Sequence, residues 1–248
     1  MSQPVSRPAG PRRQPPARNR SARNRPSAGQ WRELADLPFA AALVPHRGGW
    51  LPGGEYDCAH FDQLTLDGPD ASGSRFLECA LTHVSCHGGQ LRRAAFTDVW
   101  LADVRLTATG LAESAWTGVQ IDGSAIAGAE AFGAQLRNVV LRGCKLDSVN
   151  LRGAVLTDVV FDNCLLREVD FTGATLTRAA FPGSRLASTS FIRASMDTVD
   201  LRGAELGITV DPGSLRGIVV TPAQFAAMAG LLATTLGITV DDQPPPRV

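Results

Sequence analysis

Long apolar runs are absent from this sequence of 248 residues, and no stretch approaches the roughly 18 residues that a membrane-spanning helix needs. Aromatic residues make up only 6% of the chain and charged residues only 19%, which disfavours a coiled coil and a chain that is disordered throughout. The start is basic and proline-rich and lacks the apolar core of a secretory signal. The sequence therefore predicts a cytoplasmic protein that does not enter a membrane.

Motifs of catalysis are also missing. We find no glycine-rich phosphate loop, no nucleophile elbow and no pair of carboxylates beside a base. An enzyme is therefore the least favoured class, and the sequence predicts no catalytic residue, no cofactor and no metal.

The net charge of zero conceals two parts of opposite sign. Residues 1–29 contain seven arginines, six prolines and no acidic residue, whereas the remaining 219 residues carry a net charge of −7. Because this segment has almost no apolar residues, we predict a disordered basic tail. It is interpreted first as a solubilising extension or the product of an upstream start codon, and second as an arm that contacts nucleic acid nonspecifically.

A period of five residues runs without a break from Phe61 to Leu206. All thirty residues in this frame are apolar, which chance would give about once in 10¹⁰ at a hydrophobic content of 44%. The residue two places earlier is small in almost every unit, so each unit has one large and one small inward side chain. Since five matches neither the helical nor the strand period, the chain must turn a corner in each unit, and four corners close a square coil of twenty residues.

The sequence therefore predicts an all-β solenoid of seven to eight coils over residues 57–210. Side chains twenty residues apart should lie on one another and fill the shaft, leaving no internal cavity for a ligand. The predicted core comprises Phe61, Phe76, Phe96, Trp116, Leu141, Phe161, Phe171, Phe181, Phe191 and Leu201.

Several units resemble the A-(D/N)-L-x-x unit of the pentapeptide repeat proteins, among them Ala154-Val155-Leu156-Thr157-Asp158 and Val199-Asp200-Leu201-Arg202-Gly203. The resemblance implies a right-handed quadrilateral β-helix and a non-catalytic scaffold that binds a protein not yet identified. The best-understood members of this family are similar to DNA in outline and charge and bind bacterial type II topoisomerases. A DNA-mimicking binder or inhibitor of DNA gyrase is therefore the alternative function.

Both ends of the solenoid need a cover. Residues 30–56 are predicted to form an N-terminal cap, with Trp31, Leu34 and Leu37 on one face of a short helix. Residues 211–248 predict a C-terminal cap made of a strand over 215–220, a helix over 222–236 and a strand over 238–240. The helix carries an apolar stripe, which is interpreted first as a cover for the last coil and second as the contact of a homodimer: Phe225, Met228, Leu232 and Leu236.

Charges along the column should pair between coils, because the twenty-residue register places Arg142 between Asp122 and Asp162 and Asp147 against Arg167. The acidic excess is concentrated in the first coil, where no Lys or Arg intervenes: Glu55, Asp57, Asp62, Asp67 and Asp70. Of these, Asp62, Asp67 and Asp70 are the candidate interaction residues. This arrangement predicts an acidic end rather than an acidic rod.

The cysteines and histidines do not predict a metal site. His60, His83 and His87 fall at outward positions, whereas Cys86 falls at an inward one, so these groups should not converge on one ion. The chain has five cysteines, and the odd number favours reduced thiols. Cys144 and Cys164 should lie in adjacent coils with side chains that run parallel, which is poor geometry for a disulfide.

Overall fold

The computed structural model describes residues 33–241. The predicted tail over 1–29, Trp31 and residues 242–248 lie outside this part. The described chain forms a square column of about eight coils in which every strand pair is parallel, so the predicted β-helix is confirmed. None of the helices in this part is both long and apolar enough to cross a membrane.

The strands in chain order are β1 Val44–Pro45, β2 Glu55–Asp57, β3 Ala59–Asp62, β4 Thr65–Asp67, β5 Arg75–Leu77, β6 Ala80–Thr82, β7 Ser85–His87, β8 Ala95–Thr97, β9 Trp100–Ala102, β10 Arg105–Thr107, β11 Ala115–Thr117, β12 Gln120–Asp122, β13 Ala125–Ala127, β14 Gln135–Arg142, β15 Lys145–Asp147, β16 Val155–Asp162, β17 Leu165–Arg167, β18 Thr175–Ala180, β19 Arg185–Ser190, β20 Ser195–Asp197, β21 Val199–Asp200, β22 Glu205–Thr209 and β23 Ile218–Val219. Two α-helices follow, α1 Pro222–Ala227 and α2 Ala229–Leu236.

Four faces, here numbered I to IV in chain order, surround the shaft. Face I begins with β2 and β5, and face II begins with β3 and β6; the two form one sheet, because β14, β16 and β18 continue from face I to face II. Face III is the second sheet and runs from β4 to β22. Face IV is joined by single bridges between residues twenty apart, from Asp70 to Ser190, and at its C-terminal end by the continuation of the pair β19–β22.

Each corner has a residue in the left-handed backbone region. Positive φ recurs at every fifth residue from Gly53 to Gly203, two places after each large inward residue. Glycine, which adopts this conformation at no steric cost, occupies many of these corners. The other corners are occupied by residues such as Asn163 and Asp158. A residue with a side chain thus adopts the left-handed backbone conformation where backbone pairing with the neighbouring coils fixes the corner.

The five-residue frame faces the shaft, as the sequence predicts. Of its thirty side chains 27 are buried, and the other three, Leu66, Leu136 and Leu206, are half-buried. Residues twenty apart stack: the ring centroids of Phe161 and Phe181 are 4.8 Å apart, and those of Phe171 and Phe191 are 5.0 Å apart. The repeating large residue therefore builds one continuous apolar core along the column.

The shaft is not filled completely along its length. An apolar cavity of about 50 Å³ lies in the middle of the column, lined by Trp116, Ala131, Leu136, Phe161 and other apolar side chains. Ala131 stands where the coils on either side carry Leu111 and Leu151. The frame keeps each position apolar but does not keep its volume constant.

The N-terminal segment has two parts. Residues 46–56 cover the end of the shaft, where the Trp50 ring packs against Phe61 and Phe76, and β1 adds to face II beside β3. Residues 33–43 instead run along the outside of face II. The short helix predicted there forms as a single 3₁₀ turn, Leu34–Asp36, which ends before Pro38, and a second 3₁₀ turn follows at Ala40–Ala42.

The C-terminal segment covers the last coil. Thr221 caps α1 through a hydrogen bond from Gln224 N, and the Gln224 side-chain amide donates to the carbonyls of Leu201 and Ala204. Gly237 ends α2 in the left-handed conformation. Two expectations are wrong: the helix is interrupted at Met228, and residues 238–240 form no strand because the Ile238 amide donates back to the Ala233 carbonyl of α2.

Candidate interaction surfaces

The acidic residues of the first coil form a collar around the column. Asp62 lies on face II, Asp67 on face III and Asp70 on face IV, and all three are exposed. The Thr82 hydroxyl donates to Asp62 over 2.5 Å, and this hydrogen bond lowers the pKa of Asp62. The structure thus places the three candidate residues at one end of the column but on different faces, so a flat partner cannot contact all of them together.

An open hollow of about 250 Å³ lies beside the collar, lined by Val44, Pro45, His46, Glu55, Tyr56, Asp57 and Ala59. Next to it the Cys58 thiol donates to Asp57 over 3.4 Å and to Glu78 over 3.8 Å. Burial and these hydrogen bonds raise the pKa of Cys58 to about 11. The group of Asp57, Cys58 and Glu78 is therefore a protonated thiol between two carboxylates. Metals bind the thiolate form of cysteine, which this raised pKa disfavours.

Sequence reasoning missed this group. Its signal is the twenty-residue spacing of Cys58 and Glu78, which puts both at the same corner in successive coils. The histidines behave as expected. Cys86 is buried in the shaft, whereas His83 and His87 are exposed, and His83 contacts Asp62 over 3.3 Å.

The charges on the column pair between coils as the register predicts. Arg142 lies 3.3 Å from Asp122 and 3.9 Å from Asp162. Arg167 donates to Asp147 over 3.0 Å, and its guanidinium lowers the pKa of that carboxyl. These ladders divide the column surface into paired charges of both signs, so the acidic collar does not continue along the rod.

Three exposed large apolar side chains of the repeat region lie beside one corner. Phe132 and Ile192 occupy the same outward column of face IV and are 40% and 37% exposed, and Val155 lies just across the corner on face I, 44% exposed. At the corner glycines Gly153 and Gly173, no heavy atom lies within 4 Å of the place that a Cβ would take. We call Phe132, Val155 and Ile192 the edge strip; it follows a bare backbone edge that a partner could approach closely.

Sequence reasoning missed the edge strip, because it treated outward positions as polar. The signal for the edge strip is a large apolar residue at an outward position, in a unit that already has an apolar residue at its inward position. Such residues are exceptions to the pattern of the solenoid, and large apolar side chains exposed along one edge make that edge a candidate contact surface.

The predicted apolar stripe of the C-terminal helix does not form one face. Met228 is buried and Leu232 is half-buried, whereas Phe225 and Leu236 are exposed, 61% and 56% respectively. The interruption at Met228 changes the direction in which the two halves of the stripe point. The helical segment therefore covers the last coil with some of these residues and leaves the others exposed to solvent.

Comparison with known proteins finds a family model that matches part of the repeat region. Residues 114–191 match the family model described as the pentapeptide repeat region. No curated protein matches the chain. The resemblance seen in the sequence is thereby confirmed.

One solved structure shares the fold, and a second aligns more weakly. A trypsin-treated variant of QnrB1, a plasmid-mediated fluoroquinolone resistance protein, aligns with a TM-score of 0.55 at 19% identity, over 80% of this chain and 99% of that one. HetL, a pentapeptide repeat protein involved in heterocyst differentiation regulation from the cyanobacterium Nostoc sp. strain PCC 7120, aligns with a TM-score of 0.43 at 17% identity, over 68% of this chain and 90% of that one. At these identities the likeness concerns the fold alone.

Proposed function

We propose that this pentapeptide repeat protein is a non-catalytic scaffold that binds another protein on its outer surface. The observation that carries the proposal is the edge strip, whose three apolar side chains stand in fixed positions on a rigid column. Phe132 should contribute most to binding, because aromatic side chains provide much of the energy of protein contacts. Arg152, paired with Asp170 over 3.6 Å, lies between Phe132 and Ile192 in the same column and adds a polar contact within the strip.

The test is affinity capture with the full chain, comparing the natural protein with the variant Phe132→Ser, Val155→Thr and Ile192→Thr. All three positions face solvent, so the melting temperature should hardly change. A variant with Phe225→Ser and Leu236→Ser removes two still more exposed apolar residues from the C-terminal helix and serves as the control. We expect a protein that the natural chain and the control retain and the edge-strip variant does not, with the same difference in a titration of the purified pair. Equal retention by all three would contradict the proposal.

The second candidate is a DNA-mimicking inhibitor of a bacterial gyrase. The acidic collar and the fold shared with QnrB1 favour it. The ion-pair ladders disfavour it, because a substitute for DNA must present negative charge along its length. We therefore expect weak inhibition at most in a supercoiling assay at moderate salt. Submicromolar inhibition that is lost on charge reversal of Asp62, Asp67 and Asp70 would reverse this order.

We also propose self-association through the C-terminal helix. Phe225, Leu236, Ile238 and Val240 are exposed, and the sequence has no charged residue between Arg216 and Asp241. Two copies could therefore meet along this segment without burying an unpaired charge. Light scattering over a range of concentrations should show a dimer that the double variant Phe225→Ser, Leu236→Ser cannot form. A natural chain that stays monomeric at every concentration would refute this.

A further inference from the structure

The outer surface of face II is buried where the outer surface of face I is exposed. Gln120 and Val140 occupy the outward position just before the large inward residue of face II, and they are 0% and 7% exposed. Gln135 and Val155 occupy the equivalent position on face I, where Gln135 is exposed and Val155 is 44% exposed. Each pair has the same residue type at the same place in the repeat. The difference in exposure between the two faces therefore shows that other parts of the chain cover face II.

The start of this cover is visible. Leu34, Leu37, Phe39 and Leu43 pack on the outward side chains of the second and third coils, Ala80, Trp100 and Ala102. The described contacts of this apolar cluster end at Trp100 and Ala102, whereas Val140 lies two coils further along the column. Part of the burial of Gln120 comes from the Trp100 indole, which donates to the neighbouring Asp122 over 2.7 Å.

The direction of the chain points to what lies over Val140. β1 pairs with β3 in the first coil, whereas the segment before it packs on side chains of the second and third coils. The chain therefore moves up face II as it is followed towards the N-terminus. Three extended residues span about 10 Å, and two coils also span about 10 Å. The few residues before Glu33 are thus long enough to reach Val140 from the end of the described cluster.

Residue 31 is a tryptophan, the one aromatic residue among the first 32. We propose that the outer surface of face II over Gln120 and Val140 is the docking site of the segment that precedes Glu33, with Trp31 as its anchor. The occupant is this chain's own segment, because it begins beside the site, has the required length and carries one large apolar residue in the right place. Val160 and Ala180, further along the same row, are half-buried, as expected where such a strap ends.

Charge supports the same occupant. Arg142, whose side chain is only 12% exposed, lies beside Val140 between the carboxylates of Asp122 and Asp162. Two acids flank one base along this row, and the sequence before Glu33 contains Arg32 and Arg25 but no acid. The strap would thus cover the apolar row with Trp31 and bring positive charge to an acidic rim.

Thiol labelling tests the docking site without disturbing the core. Val140→Cys and Val155→Cys place the same new thiol at the same repeat position on the two faces, in the full chain. We expect the Val155→Cys thiol to react with a maleimide at least about ten times faster than the Val140→Cys thiol, since labelling follows exposure. The natural chain gives the background of its own five cysteines.

The decisive comparison adds Trp31→Ala. It should accelerate labelling of Val140→Cys and leave that of Val155→Cys unchanged. In parallel, Val140→Lys should lower the melting temperature by about 5 °C or more, whereas Val155→Lys should leave it unchanged. Equal labelling of the two cysteines, or a Val140→Cys rate that does not respond to Trp31→Ala, would overturn the proposal.

Discussion

Filling the central cavity should stabilise the protein. Ala131→Leu extends a side chain into the cavity of about 50 Å³ and restores the leucine that the neighbouring coils carry at this position. Residual cavity volume costs about 24 cal/mol per Å³, so closing this one is worth about 1.2 kcal/mol. A leucine is somewhat larger than the space, and the strain reduces the expected gain to about 1 kcal/mol.

The gain should raise the melting temperature by about 2–4 °C for a chain of this size, measured by circular dichroism at several scan rates. Ala174→Leu is the control, because Ala174 is fully buried and does not line the cavity. We expect the control to lose about 1–3 kcal/mol through overpacking. If Ala131→Leu destabilises the protein as much as Ala174→Leu does, the shaft is closely packed at Ala131 and the reasoning fails.

Two further predictions concern the ends of the chain. Asp211 accepts hydrogen bonds from the backbone amides of Arg193 and Gly213 and from the Ser214 hydroxyl, and these bonds, first that of Arg193, lower its pKa to about 2. The contribution of Asp211 to stability is therefore complete above about pH 4 and is lost as the pH falls through about 2. Asp211→Ala should lower the melting temperature at pH 7 and make it fall less steeply in acid. Melting temperatures of the two proteins that fall in parallel from pH 7 to 2 would contradict this. Deleting residues 1–29 should leave the melting temperature unchanged, because this arginine- and proline-rich segment has almost no apolar side chains to pack, and a fall of more than a few degrees would show that it docks.

The sequence predicts the repeating part of the fold well because the residue types within each five-residue unit indicate which side chains face inward. The inward frame from Phe61 to Leu206, the stacked rings and the pairing of Arg167 with Asp147 all follow from the spacings of five and twenty. The left-handed corners at residues such as Asn163 are less visible, because neighbouring coils rather than the residue type impose the conformation.

What the spacing does not predict depends on volume or on contacts outside the repeat. Ala131 fits the apolar frame, so only its size reveals the cavity. The packing of Leu37 and Phe39 against Ala80 and Trp100 joins segments far apart in the sequence, and its one local signal is a tryptophan at an outward position. The edge strip likewise has one local signal, which is an apolar residue at an outward position. The interruption of the C-terminal helix at Met228 has no local signal that we recognise.

Phenylalanines in the frame build the shaft, whereas Phe132, outside the frame, lies on the surface. Thermal melting of Phe161→Asp and Phe132→Asp tests this distinction most directly, because the same exchange is made at an inward and an outward position. Phe161→Asp places a charge in an apolar shaft at a cost of several kcal/mol and should abolish the cooperative transition. Phe132→Asp should melt like the natural chain. Equal melting temperatures for the two variants would contradict the account.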